Sequence, residues 1–320
     1  MTKRPSLAAA VALVCAIAAA GCGFGAGPAS EGTATLTVTR DYGSTTLVDA
    51  AQSDPPSSET VIRFLNREAE ITTRYGGGFV QSIEGLAGTQ SEGRRYDWFF
   101  YVNGIESAVG SADVHVRGGD RIWWDYRDWT AAMRAPAVVG SWPEPFAQAS
   151  AEGGRQPVRV ECLAGGGACE TAANRLAAAG VQATVEPGGG ELSRSTGAPR
   201  LLVGTWDHVR ADRAVDELRG GPEANGVFAS FKGPIDGVYH LIALDPTGEP
   251  ARDLGSDAGL VAALQGGGEA PTWIVTGSGS SAVRRAAGSL GAAALRKRYA
   301  VAAPVGAPRV GLPVQGEEEG

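Results

Sequence analysis

Two aromatic stretches in the first half constrain this chain most strongly. Residues 96–102 and 121–127 are rich in aromatic and β-branched side chains. The whole chain contains 7 Trp, 7 Tyr and 8 Phe, and nine of these aromatic residues lie between positions 96 and 129. Such side chains favour a pleated, half-buried surface. Asn103-Gly104 and Gly118-Gly119-Asp120 supply turn chemistry beside them. The pattern therefore predicts two strands.

Alternation along these strands divides their side chains between two faces. If the face that carries Trp98, Phe100, Trp124 and Tyr126 forms the core, the opposite face points outward. The predicted ligand-binding residues are the outward set together with two nearby tryptophans: Phe99, Tyr101, Trp123, Trp129 and Trp142. Either a neighbouring helix or a second domain covers the outward face, or this face is a platform for a ligand or partner. A single bulge would exchange the two faces.

The spacing of these aromatic residues also resembles a known family. Residues 98–104 and 119–126 read Trp-x-x-Tyr-Val-Asn-Gly and Gly-Asp-x-Ile-x-Trp-x-Tyr, a pattern similar to the transcobalamin C-terminal-like domain. The resemblance implies a small β-grasp domain over residues 33–145, with Trp98, Phe100, Trp124 and Tyr126 facing its core. In transcobalamin-type carriers the related domain closes over a corrinoid, so the resemblance implies a corrinoid or another small planar ligand.

The first 22 residues read as an export signal. Lys3 and Arg4 precede an apolar stretch that is too short for a membrane span, and Ala19-Ala20-Gly21 precedes Cys22. This resembles a bacterial lipobox, although Ala19 stands where a bulky aliphatic residue is usual. We expect Cys22 to carry the lipid, residues 23–32 to form a flexible tether, and the protein to lie at the outer face of the cytoplasmic membrane. An ordinary secretory signal or an uncleaved anchor is the alternative.

The remaining cysteine pair agrees with export. With Cys15 removed and Cys22 lipidated, Cys162 and Cys169 are the pair left in the folded part. An oxidising compartment permits a disulfide across this short glycine-rich loop. Two separately buried thiols are the alternative, and a metal site is not expected from two ligands without a nearby histidine.

The second half predicts a different architecture. After a Pro- and Gly-containing stretch at 130–156, short apolar runs alternate with helical patterns. This favours a three-layer α/β domain with a mixed sheet over residues 156–303, so the whole chain belongs to the α+β class. Within it we expect helices at 207–218 and 259–264, and we expect a disordered tail at 304–320.

Charge and motif content narrow the function. A net charge of −7 argues against a nucleic-acid partner. Residues 277–282 fit G-x-G-x-x-A spacing, but they lie in the last β-α unit, which favours a tight turn with a helix cap over nucleotide binding. No nucleophile elbow is followed by a histidine, and Asp125 with Asp128 is better explained by a solvated strand end than by acid–base catalysis.

These observations predict a non-enzymatic lipoprotein that acts as a ligand-binding or accessory module and needs no cofactor. The expected partners are the membrane, through the lipid anchor, and a small-molecule ligand or an envelope transport protein. Two alternatives remain: an enzyme with a site at the strand ends of the α/β domain, and a structural module that only mediates contacts.

Overall fold

The computed structural model describes residues 26–147, 158–163, 166–188, 198–266 and 269–315. Within them the chain is a mixed α/β protein in which β-sheet dominates and several sheets pack together. Cys22, the predicted signal and the start of the predicted tether lie outside the described residues. A search of the described part of the chain finds no helix of the length and apolar character that a membrane crossing needs.

Residues 26–147 form two sheets and an α-helix. Their elements are β1 (Thr33–Arg40), β2 (Thr45–Ser53), α1 (Val61–Glu68), β3 (Ile71–Arg74), β4 (Phe79–Ile83), β5 (Leu86–Ala87), β6 (Thr89–Ser91), β7 (Arg94–Val102), β8 (Ile105–Glu106) and β9 (Arg121–Asp128). The N-terminal sheet has the order β2-β1-β9-β7-β6, with β8 paired to β7, and the small sheet is β3-β4-β5. β9 runs parallel to β1 and antiparallel to β7.

One face of the N-terminal sheet forms a core with α1. Val61, Phe64 and Leu65 recur at helical spacing and are fully buried. They pack in one cluster with the inward aromatic set: Trp98, Phe100, Trp124 and Tyr126. The parity of the two aromatic strands is therefore as predicted. Directly paired residues of β7 and β9 also place Phe100 and Trp124 in a stack with ring centroids 4.7 Å apart.

The second half is built on a seven-stranded central sheet. Its elements are β10 (Val158–Leu163), α2 (Gly167–Ala178), β11 (Ala183–Pro187), β12 (Arg200–Thr205), α3 (Trp206–Val209), α4 (Arg213–Asp216), α5 (Pro222–Asn225), β13 (Ala229–Ile235), β14 (Val238–Leu244), β15 (Pro250–Asp253), β16 (Ala258–Leu264), β17 (Thr272–Gly277), α6 (Ser280–Ala287), α7 (Ala292–Leu295), β18 (Ala300–Pro304) and β19 (Val310–Leu312). The central sheet has the order β11-β10-β12-β17-β16-β18-β19, and β13-β14-β15 form a separate antiparallel sheet.

The central sheet is mixed and buried on both faces. β10, β12 and β17 are parallel neighbours, whereas β16 pairs antiparallel with β17 and β18. Side chains alternate between two cores, as Leu202 belongs to one cluster and its neighbours Leu201 and Val203 belong to the other. Helices α2 and α6 cover the second of these cores, while the first faces the β13-β14-β15 sheet and the N-terminal sheet.

Three local predictions in this half are wrong. Residues 259–264 lie in strand β16 instead of a helix, and every residue of this strand is buried. The helix predicted at 207–218 is broken, because Asp212 takes an extended conformation and caps α4 by accepting a hydrogen bond from the Ala214 N–H. Residues 304–315 of the predicted disordered tail are ordered, and β19 pairs with β18 within them.

The segment that follows the N-terminal sheet belongs to the second core. Trp142 and Phe146 pack against Trp273 with ring centroids 5.8 Å and 5.0 Å away. Trp142 is 4% exposed. The predicted disulfide is confirmed, since Cys162 at the end of β10 is bonded to Cys169 in the first turn of α2.

Candidate functional site

The outward aromatic face is mostly sealed by the rest of the molecule. Tyr101 and Trp123 are 0% and 3% exposed, and they pack in one cluster with Tyr299 and other residues of the second half. Their predicted exposure is therefore wrong, and the alternative in which a second domain covers the face is the arrangement observed. The prediction that Trp142 binds a ligand is wrong as well, because Trp142 is buried in the second core.

A hydrogen-bonded chain crosses this junction. The Trp123 indole N–H donates to Thr39 Oγ1 at 2.8 Å, and the Thr39 hydroxyl donates to Asp125 Oδ1 at 2.5 Å. From the other side, the Tyr299 hydroxyl donates to Asp125 Oδ2 at 3.0 Å and accepts from Tyr101 at 3.2 Å. Each of the side-chain polar atoms in this hydrogen-bonded series has a partner, as burial requires.

Burial changes the acid–base behaviour of these groups. Removal from water raises the pKa of Asp125 from 3.8 to about 6, although hydrogen bonds from Thr39, Tyr299 and the Gly43 N–H oppose the rise. Burial also raises the pKa of Tyr101 and of Tyr299. The hydrogen bonds of these three side chains join the two halves. Because all three are buried, they do not face a solvent-open cleft.

Phe99 lies against a buried cation. The Arg127 guanidinium, which is 0% exposed, stacks 3.9 Å from the Phe99 ring centroid and donates to the carbonyls of Ala132 and Met133 at 2.6 Å and 3.2 Å. Glu106 lies 3.8 Å away as a counter-ion. Phe99 is half-buried and packs against the junction core.

Trp129 differs from the other tryptophans. The six others are buried, whereas Trp129 is half-buried at the end of β9. The Arg95 guanidinium stacks 4.0 Å from its ring centroid, and the Trp129 backbone N–H donates to the Arg95 carbonyl at 2.8 Å. The side chain is thus held in place while part of its ring surface meets solvent.

An open groove lies beside this tryptophan. The Trp129 groove has a volume of about 400 Å³ and brings together aromatic side chains and two arginines. Arg74 is oriented by a 2.8 Å hydrogen bond from its Nε to Gln81 Oε1. The aromatic and charged side chains that line the groove are Arg74, Phe79, Arg95, Tyr96, Asp97 and Trp129.

A second, smaller groove adjoins the first. The Phe100 groove, of about 200 Å³, is lined by Phe79, Phe99, Phe100, Val109 and Trp124 among others. Phe79 lines both grooves and is 48% exposed. Its neighbour at the hairpin tip, Tyr75, is 86% exposed and contacts Phe79 edge to face. Gly76 takes a left-handed conformation with φ 73°, which lets the chain reverse between these two aromatic residues.

At the strand ends of the central sheet, several described polar side chains are engaged in hydrogen bonds. The Ser278 hydroxyl donates to the Tyr239 carbonyl, and Gly279 precedes α6 as its cap residue. Thr205 and His208 hydrogen-bond to each other at 2.8 Å. In the described part of the chain, no group of three or more His, Cys, Asp or Glu residues could hold a metal ion.

Comparison with known proteins matches part of this region to an uncharacterised family. Residues 58–128 match the model of a domain of unknown function, DUF4430. This range includes both aromatic strands and the lining residues of both grooves except Trp129. No curated protein matches the chain. The resemblance to the transcobalamin C-terminal-like domain stays a prediction.

A solved structure of a protein from Ruminococcus gnavus that is proposed to bind metal is similar over a short region. Its sequence identity is 14% and its TM-score is 0.24, and the match covers 31% of this chain and 98% of the other. The described binding of metal belongs to that protein, and a similarity this low carries no argument about the present chain.

Sequence reasoning identified only part of the groove. Of the five predicted ligand-binding residues, the structure places Trp129 in the Trp129 groove and Phe99 in the Phe100 groove, and it buries the other three. The prediction from sequence did not include Phe79, Arg74 or Arg95. The signal available for Phe79 was the run Tyr75-Gly-Gly-Gly-Phe79, which places two aromatic residues around a flexible turn.

Proposed function

We propose that this protein is a ligand-binding module and that the Trp129 groove receives a small planar ligand with polar or anionic groups at its rim. The observation that carries the proposal is the groove itself. Trp129, Tyr96 and Phe79 offer ring surface, and Arg74 and Arg95 offer cationic donors beside it. A planar body would lie against the rings while its rim accepts hydrogen bonds from the guanidinium groups.

The proposal is for binding without catalysis. Asp125, Tyr101 and Tyr299, whose pKa values burial raises, are enclosed at the junction between the two halves. They cannot exchange protons with a ligand in the Trp129 groove, because they do not line it.

A β-grasp arrangement of the N-terminal sheet supports the same ligand class. The β1-β2 hairpin, the helix α1 across the sheet and the parallel pairing of β1 with β9 suit that topology. The sequence resemblance to transcobalamin-type domains then makes a corrinoid the first ligand to test. We also propose that Cys22 carries a lipid that holds the protein at the outer face of the membrane, and loss of Cys22→Ala protein from the membrane fraction would be the expected result.

Equilibrium dialysis against cyanocobalamin, haemin and riboflavin tests the binding proposal. Trp129→Ala and Arg95→Gln should each weaken binding of the preferred probe about tenfold or more, because each removes a ring or a charged donor from the groove. Met133→Ala is the matched control, since Met133 is 64% exposed and lines neither groove. Equal losses in all three variants, or no binding of any probe, would contradict the proposal.

A further inference from the structure

Three arginines lie on neighbouring elements of the second half. Arg175 lies in the last turn of α2, Arg285 lies on α6, and Arg309 directly precedes β19. Helices α2 and α6 pack against each other, and the pKa of Arg309 is lowered by desolvation and by the charges of Arg285 and Arg175, which both act on it. None of these residues lines the Trp129 groove.

Neutral acceptors hold two of these guanidinium groups. Arg285 donates from Nε to the Pro304 carbonyl at 3.2 Å and from Nη2 to the Ala307 carbonyl at 2.9 Å. Arg309 donates from Nε to Ser289 Oγ at 2.7 Å, and the Ser289 hydroxyl donates to the Arg285 carbonyl at 2.9 Å. The Arg285 side chain is therefore tied to the connection between β18 and β19, and the Arg309 side chain is tied to a residue just beyond the C-terminal end of α6.

In the part of the chain that the structure describes, no carboxylate compensates the charge of this cluster. Among the described residues no carboxylate lies within 4.0 Å of Arg175, Arg285 or Arg309, whereas Arg200 pairs with Asp212 at 2.6 Å and Arg296 pairs with Asp49. Desolvation, together with the charges of Arg285 and Arg175, lowers the pKa of Arg309. The protein as a whole has a net charge of −7, yet positive charges are held near one another at this place. A bound anion would offset the repulsion between these guanidinium groups.

We propose that Arg175, Arg285 and Arg309 form a binding site for a phosphoryl group. The terminal N–H groups of Arg309 have no described partner, and the planar guanidinium fork matches two oxygens of a phosphate. Arg285 and Arg175 would supply the second and third positive charges. The phosphoryl group could come from a phospholipid headgroup or from a soluble phosphate compound, since both present the same oxygens.

Phosphate titration and vesicle binding on the full chain test the site. All samples carry Cys22→Ala, so that no acyl chain contributes to vesicle binding. Inorganic phosphate is titrated by calorimetry, and co-flotation is measured with phosphatidylglycerol and with phosphatidylcholine vesicles. The variants are Arg175→Gln and Arg309→Gln, both at exposed positions. Arg63→Gln is the matched control, because Arg63 is exposed and is held by the Ser58 carbonyl at 2.8 Å in the same way.

The expected result is a loss of about tenfold or more in affinity for Arg175→Gln and Arg309→Gln, with unchanged melting temperature without phosphate and no loss for Arg63→Gln. Loss confined to phosphatidylglycerol vesicles would identify a lipid headgroup as the source, and loss of inorganic phosphate binding would identify a soluble source. Binding of neither probe, or an equal loss in Arg63→Gln, would overturn the proposal.

Discussion

The Asp125 side chain joins the two halves of the molecule through hydrogen bonds to residues of both. The carboxylate accepts hydrogen bonds from Thr39 and Gly43 of the first half and from Tyr299 of the second. Trp123 extends this network by donating to Thr39. The face that carries these residues is thus an internal surface, and the side chains left at the edge, above all Trp129, are the ones that can meet a ligand.

Truncation of two tryptophans should separate these roles. Trp123→Ala should lower the free energy of unfolding by about 3–5 kcal/mol, because it leaves a cavity at the junction and removes the donor to Thr39. Trp129→Ala should lower it by less than about 1 kcal/mol, since the side chain is half-buried. Chemical denaturation measures both. The reverse order of the two losses would contradict the assignment of the faces.

The Asp125 carboxyl should make stability depend on pH in a defined direction. Its pKa is about 6 in the folded chain and 3.8 ordinarily, so the folded state binds the proton more tightly. The resulting stabilisation, about 3 kcal/mol, is complete below about pH 4 and is lost as pH rises through 6.

Unfolding free energies at pH 4 and pH 7 check this pH dependence. The difference between wild type and Asp125→Asn should shift by about 3 kcal/mol in favour of the wild type at pH 4. Asp236→Asn, at an exposed position on the β13–β14 turn, is the matched control for the change of an aspartate to an asparagine. The same pH profile for wild type and Asp125→Asn would be the contrary result.

At the scale of elements, local pattern was sufficient for the aromatic strands and for the amphipathic helix α1, and it was insufficient for a run of small apolar residues. The alternation in β7 and β9 and the helical spacing of α1 were predictable from sequence. β16 was not, because Leu260 and Ala262 face one core while Val261 and Ala263 face the other. A short run of small apolar residues has no period that separates helix from strand. The burial of Tyr101 was also beyond local pattern, since its cover comes from Tyr299, 198 residues away.

The disulfide should stabilise the junction of β10 and α2. Cys162 and Cys169 are separated by seven positions, and closing a loop of this size contributes about 2 kcal/mol through the unfolded chain. Denaturation of a Cys162→Ala/Cys169→Ala double variant should show that loss against the oxidised protein. Labelling of both thiols in the native, unreduced protein would show that the bond is absent.

At the scale of the whole molecule, the two halves share a core. One apolar cluster contains Tyr42 and Trp123 from the N-terminal sheet together with Leu202, Phe228 and Tyr299 from the second half. Neither half can bury these side chains alone. The sequence indicated the change of pattern after residue 130, but it could not indicate that the two regions pack face to face, because the contacts join residues far apart in the chain.

This shared core should make unfolding cooperative. Calorimetry should give one transition, and Asp125→Asn or Trp123→Ala should move it as a whole without splitting it. Near-ultraviolet circular dichroism, which reports the aromatic junction, should follow the same curve as the far-ultraviolet signal. Two resolved transitions in the wild type would mean that the halves are independent.

The most direct test of the ligand site uses the tryptophans themselves. The full chain is labelled with 5-fluorotryptophan, its seven resonances are observed by fluorine NMR, and Trp129→Phe assigns the resonance of Trp129. On titration with diamagnetic cyanocobalamin, we expect the Trp129 resonance to shift first and furthest while those of Trp123 and Trp142 stay in place. Shifts at Trp123 or Trp142 with Trp129 unchanged would contradict this expectation.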